Sequence, residues 1–173
     1  MALIIEALAQ RRALMPHESA VAFDFTAQEI VALGRFPHRW TPSRNEDAII
    51  EAAMALTDVS ALAPRVLNTL SGGEKSRVQM ARAQAQLWEA RPDGSARRLL
   101  LDEPTAALDL AHRHAAMRLL RDWAGQGVGV IAVLHDLNLA RRYADDVVVL
   151  CGGGAVHQGS SAQVLQPALI ERV

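Results

Sequence analysis

The sequence predicts an α/β fold, a parallel sheet with helical crossovers, entered through a helical stretch. Three observations carry this reading. Up to about Leu70 apolar residues recur at helical spacing behind capping signals. From Arg98 onward short apolar runs bounded by charge alternate with helical segments. Strand–helix–strand alternation in turn implies parallel strands joined by right-handed crossovers.

Taken in order, residues 2–12 read as the end of a helix. A short apolar piece follows at 13–15, and Pro16 breaks it. Thr26-Ala-Gln-Glu29 is a capping box ahead of Ile30, Val31 and Leu33, with Gly34 as the stop. Ser43-Arg-Asn-Glu46 is a second box, ahead of Ile49, Ile50, Ala53, Met54 and Thr57. A third helix begins at Ser71, with Val78, Ala81, Ala85 and Trp88 as its apolar stripe. Residues 89–97 are polar, with Pro92 and Gly94, and form a loop. Residues 98–101 and 128–134 are buried parallel strands, 110–123 and 137–143 are helices, and 147–151 with 155–158 form a terminal hairpin.

Composition excludes several function classes. A net charge of −1 over 173 residues gives no field that would steer the chain to nucleic acid or anionic lipid. The single cysteine, Cys151, rules out an internal disulfide framework and favours a reducing compartment. The opening Met1-Ala-Leu-Ile-Ile-Glu6 is too short and too soon charged for a signal peptide, and no apolar run is long enough to cross a bilayer. Any membrane role therefore runs through a partner.

Four short segments carry chemistry. Leu70-Ser-Gly-Gly-Glu74 is at the least another capping box, Ser71 to Glu74, with two glycines inside it. The same geometry suits an anion: Gly72 and Gly73 allow close backbone approach, and free N–H groups at a helix start face a phosphate. In Leu99-Leu-Leu-Asp102-Glu103-Pro104 a carboxylate ends a buried strand. There Asp102 suits Mg²⁺, held through water, and Glu103 suits the orientation and deprotonation of an attacking water. Two acids that merely close a strand are the plainer reading. Asp109 is placed to cap the helix that begins at Leu110. His135 ends the strand 128–134, at the strand ends where ligands sit in open parallel sheets.

The order of these segments resembles the ABC ATPases: signature (Leu-Ser-Gly-Gly-Glu), Walker B and D-loop (Leu-Leu-Leu-Asp-Glu-Pro-Thr-Ala-Ala-Leu-Asp) and switch histidine (Leu-His-Asp). The likeness covers nearly the whole chain. Residues 25–38 resemble the iron-chelate and cobalamin branch of importer ATPases. Residues 83–88, 134–140 and 142–145, with the extra loop 89–97, are most similar to the hemin-import ATP-binding proteins.

The resemblance implies an α/β P-loop NTPase (RecA-like) core with a helical subdomain at about residues 17–90 and a catalytic α/β subdomain at about 97–173. It implies ATP and Mg²⁺ as ligands and a head-to-tail ATPase dimer on the cytoplasmic face of an inner membrane. Permease subunits are the direct partners and a periplasmic substrate-binding protein an indirect one. Within that dimer Ser71, Gly72, Gly73, Glu74, Asp109 and His17 serve nucleotide contacts, Asp102 the metal, and Glu103 and His135 catalysis. The implied cargo is hemin, with a ferric siderophore or cobalamin as alternatives. The permease surface is expected near residues 16–38, with Phe23, Phe25 and Phe36 exposed.

Two departures stand out. The sequence contains no Gly-x-x-x-x-Gly-Lys-Ser/Thr, and its one lysine, Lys75, follows the signature. The family's fold is therefore expected to lack its N-terminal part. Leu99–Leu101 and residues 128–134 would then be left short of backbone partners, and the chain alone would be inactive or serve only as a signature face. The end at Val173 is also early for the family. At the family's Q-loop glutamine this chain has His17, whose neutral ring offers one donor where an amide offers two.

Overall fold

The computed structural model describes residues 2–17 and 23–170. Its elements run α1 (Ala2–Ala9), β1 (Arg12–Met15), α2 (Ala27–Leu33), α3 (Glu46–Leu56), α4 (Gly72–Gln86), β2 (Arg97–Asp102), α5 (Leu110–Gly125), β3 (Val128–Val133), α6 (Leu137–Tyr143), β4 (Asp146–Cys151), β5 (Gly154–Ser160), α7 (Ser161–Val164) and α8 (Pro167–Ile170). They form two compact units, Met1–Val133 and Leu134–Val173.

In the first unit β1, β2 and β3 form a parallel sheet with β2 in the middle. This corrects the expectation that Leu99–Leu101 lacks partners. The apolar piece at 13–15 is a strand and pairs with it, Ala13 to Leu99 and Met15 to Leu101. Period-2 alternation turns Ala13, Met15, Leu99 and Leu101 inward, where α4 packs on β1 and α5 on β3. On the other face Leu14, Ile131 and Val133 are exposed.

The helical layer closes over its own core. Ile30, Val31, Ile50, Ala53, Met54, Val59, Val78 and Ala81 meet there from α2, α3, α4 and the connections between them. Both ends of the Thr26–Glu29 box are made: the Thr26 hydroxyl accepts from the Glu29 N–H at 3.3 Å, and the Glu29 carboxylate accepts from the Thr26 N–H at 2.7 Å. The Ser43 box is only half made. Glu46 accepts from the Ser43 N–H at 2.6 Å, but Asn45 is the cap and its side chain does not bond the helix. The Glu46 carboxylate also serves Arg35, which takes both of its oxygens.

Gly34 ends α2 in the right-handed region, at φ −59°, so no left-handed cap requires it. It is needed for proximity: a Cβ there would stand 2.2 Å from the Arg82 carbonyl oxygen of α4. Of the three phenylalanines, Phe23 and Phe36 are exposed. Phe25 departs from expectation and packs on the helical core. Residues 18–22, part of the expected permease surface, lie outside the described residues.

The second unit is the β4–β5 antiparallel hairpin with α6, α7 and α8. Ala140, Val164 and Leu165 form its small core, with Leu134, Val147 and Val149 packed against it. Among the described residues no helix is long and apolar enough to cross a membrane.

Candidate nucleotide site

The site is built where β1 and β2 end. Their register places Met15 beside Leu101 at the end of β1, and His17 and Glu103 each follow that pair by two residues. His17 and Glu103 therefore leave the same edge. Their side chains meet, with His17 Nδ1 3.5 Å from Glu103 Oε2. The Glu103 backbone has φ +50°, the left-handed region that non-glycine residues seldom occupy. It is pinned on both sides: the Glu103 N–H donates to the Val133 carbonyl, and the Ala106 N–H donates to the Glu103 carbonyl, each at 3.2 Å. Asp102, the last residue of β2, is exposed.

The start of α4 faces this edge. The Ser71 hydroxyl accepts from the Glu74 N–H at 3.3 Å, and the Ser71 N–H donates to Glu74 at 2.7 Å. The Glu74 carboxyl is held below its usual range, first by that backbone N–H and then by the Ser71 side chain. The side chain of Glu74 is thus committed to the cap. Gly73 permits close packing, since a Cβ there would lie 2.9 Å from the Ala107 carbonyl oxygen. His17, Gly72, Lys75, Gln79 and Glu103 line a common cleft of about 240 Å³.

Asp109 caps α5 by accepting from the His112 N–H at 2.9 Å, and its other oxygen meets His112 Nδ1 at 2.8 Å. Those two bonds, the backbone one first, hold its carboxyl below the ordinary aspartate range. His112 also approaches Asp58, at 3.7 Å, and Arg77 of α4 reaches Asp58 at 3.1 Å. His135 belongs to the second unit and immediately precedes Asp136, the cap of α6.

No site role was read from the sequence for Lys75, Ser76, Gln79 or His112. A signal was available for three of them. Counted from Gly72, positions 75, 76 and 79 recur at i+3, i+4 and i+7, one face of a helix. His112 stands three residues after a helix cap, within reach of its side chain.

Among the described residues no cluster of three or more His, Cys, Asp or Glu could cage a metal. One or two carboxylates at a strand end fit Mg²⁺, which keeps most of its water and takes phosphate oxygens.

The fold matches a chain of an ABC transporter assigned to the metal-chelate type in an inward-facing conformation. The TM-score is 0.78 at 26% identity, over 94% of this chain and 63% of that one. It also matches a dimeric ATP-binding cassette with ADP and phosphate bound after hydrolysis, at TM-score 0.78 and 25% identity, over 92% of this chain and 67% of that one. By sequence the chain is 49% identical to the Hemin import ATP-binding protein HmuV of Gloeobacter violaceus, over 92% of its own length. It is 48% identical to the protein of the same name from Burkholderia thailandensis, over 95%. The chain is similar to ABC-transporter ATP-binding proteins over nearly its whole length. No protein-family model matches it. It spans 58% and 62% of the lengths of those two relatives. The predicted signature, acid pair and D-loop residues fall in the first unit and His135 in the second.

Proposed function

We propose that this chain is the signature-bearing and catalytic part of an ATP-hydrolysing subunit that energises an ABC importer, with hemin as the cargo. The observation that carries the reading is the Asp102–Glu103 pair at the end of β2, with Glu103 pinned in a left-handed backbone beside the start of α4. The identity to two HmuV proteins supports the cargo.

In this reading Glu103 orients the attacking water and takes its proton. Asp102 would hold Mg²⁺ through water, and the ion would supply charge neutralisation for the transferred phosphoryl group. The α4 start, with Ser71, Gly72 and Gly73, presents N–H groups and a favourable dipole to the terminal phosphate of a nucleotide held by a second ATPase subunit. In the same reading His135 acts as the switch residue and Asp109 acts in the D-loop. Permease subunits dock the ATPase to the cytoplasmic face of an inner membrane, with exposed Phe23 and Phe36 on the docking surface and a periplasmic binding protein delivering the cargo.

A second reading has this chain lend its signature face, the capped start of α4, to a nucleotide held by a complete subunit. Transport decides the cargo and separates the two readings. The chain is joined to the portion of the Burkholderia thailandensis protein that it does not match, then reconstituted with its permease in vesicles. ATP-dependent hemin uptake is expected. Uptake of a ferric siderophore or cobalamin in its place assigns the cargo to the alternatives. ATP-independent silence with all three supports the lending role.

A further inference from the structure

The pairing of His17 with Glu103 does more than fill a cleft. Glu103 is fixed at its backbone by the Val133 carbonyl and the Ala106 N–H. That fixes where its Cβ points and leaves the rotors beyond it to be set by neighbours. A carboxylate that must present one oxygen to a water gains from a partner on the other oxygen. His17 is built into that place by the strand register, Met15 beside Leu101, and by Pro16, whose fixed φ stiffens the step out of β1. The 3.5 Å separation of Nδ1 from Oε2 is longer than a closed hydrogen bond, as catalytic contacts often are without substrate. With Nδ1 turned to Glu103, the Nε2 of the same ring remains for a second polar group.

We propose that His17 is a positioning residue for Glu103: its imidazole holds one carboxylate oxygen, so that the other is presented to the water. This rests on the reading of Glu103 as the base. The other charged group lining the cleft is Lys75 of α4. Lys75 is therefore the alternative partner that the test must separate from His17. A histidine serves here because its planar ring donates a hydrogen bond in a defined direction. A glutamine of similar reach keeps a donor, whereas an alanine keeps nothing.

The test is made on the full chain without nucleotide, so it is independent of whether the chain serves an ATPase. The Glu103 side-chain carboxyl ¹³C signal and the His17 ring ¹⁵N signals are followed by NMR in wild type, His17→Ala, His17→Gln and Glu103→Gln. The amide spectrum of the helical core checks that each variant is folded. Glu103→Gln is expected to move the His17 Nδ1 signal, and Glu74→Gln, in the α4 cap, to leave it in place. His17→Ala is expected to move and broaden the Glu103 carboxyl signal, and His17→Gln to bring it back toward wild type. Equal signals in the alanine and glutamine variants, or a His17 ring indifferent to Glu103→Gln, overturn the proposal. Lys75→Met, which leaves His17 alone, gives a second route. A carboxyl signal that follows Lys75 and ignores His17 overturns it as well. Failure of the hydrolysis measurement on Glu103 strikes the functional reading and leaves these shifts to decide the pair.

Discussion

The Ser76 hydroxyl of α4 donates to the carbonyl oxygen of Pro104 at 3.2 Å, tying the signature helix to the residue that follows the acid pair. Pro104 is fully buried, so the carbonyl has little access to water as a substitute. Ser76→Ala is expected to cost about 1 kcal/mol, the net worth of one such bond plus part of the penalty for a stranded acceptor. Urea denaturation reads it as a lower midpoint with an unchanged slope. An unchanged midpoint means that the two segments are held by packing alone.

Gly34→Ala sets two effects against each other. Gly34 is already in the helical region, so alanine gains roughly 0.4–1 kcal/mol by restricting the unfolded chain. Its Cβ, however, would lie 2.2 Å from a backbone oxygen of α4 that cannot turn aside. Overpacking of that kind costs about 1–3 kcal/mol. Net destabilisation is expected in a thermal melt, and a raised melting temperature refutes the close approach.

Arg35 is almost fully buried and spends its guanidinium on Glu46 at 2.6 and 2.9 Å, on Glu89 at 3.0 Å and on the Ala85 carbonyl at 2.8 Å. Arg35→Met leaves Glu46 without its partner. About 3 kcal/mol is expected, the low end for a broken buried pair, because Glu89 is half-exposed and regains water. Arg35→Lys is expected to recover only part, since an ammonium cannot reproduce the bidentate fork. Chemical denaturation of the two variants side by side checks the order.

The same network sets an acid limit. The hydrogen bond from Arg35 holds the Glu46 carboxyl below its usual range, against the opposite pull of burial and with help from the Ser43 N–H. A folded-state pKa below the unfolded one contributes stability that is complete above the unfolded value, near 4.3, and is lost as pH falls through the folded value. Stability should therefore fall below about pH 4.3, and the fall should be shallower in Glu46→Gln. Parallel denaturation curves for both chains across that range would contradict the assignment.

Local chemistry made much of this legible beforehand. The Thr26 and Ser71 boxes, the acid pair and the Asp109 cap are decided within four residues, and each stands where the pattern put it. What escaped is non-local. β1 is four residues long and is a strand only because β2, more than eighty residues later, pairs with it. Half of the Ser43 box is not made, because the cap falls at Asn45, and Glu46 also bonds Arg35 from the turn after α2. Phe25 is drawn into the helical core. The His17–Glu103 pair depends on a register that neither segment states alone.

The central claim is that Glu103 is the base of an ATP-hydrolysing site, and one substitution tests it most directly. In the chain joined to the unmatched portion of the Burkholderia thailandensis relative, Glu103→Gln keeps the shape of the side chain and removes the proton acceptor. The account predicts that ATP hydrolysis falls by about 10²–10⁴-fold, the usual worth of a general base, while radiolabelled ATP stays bound. A Glu103→Gln chain that turns over ATP at close to the parent rate would contradict it.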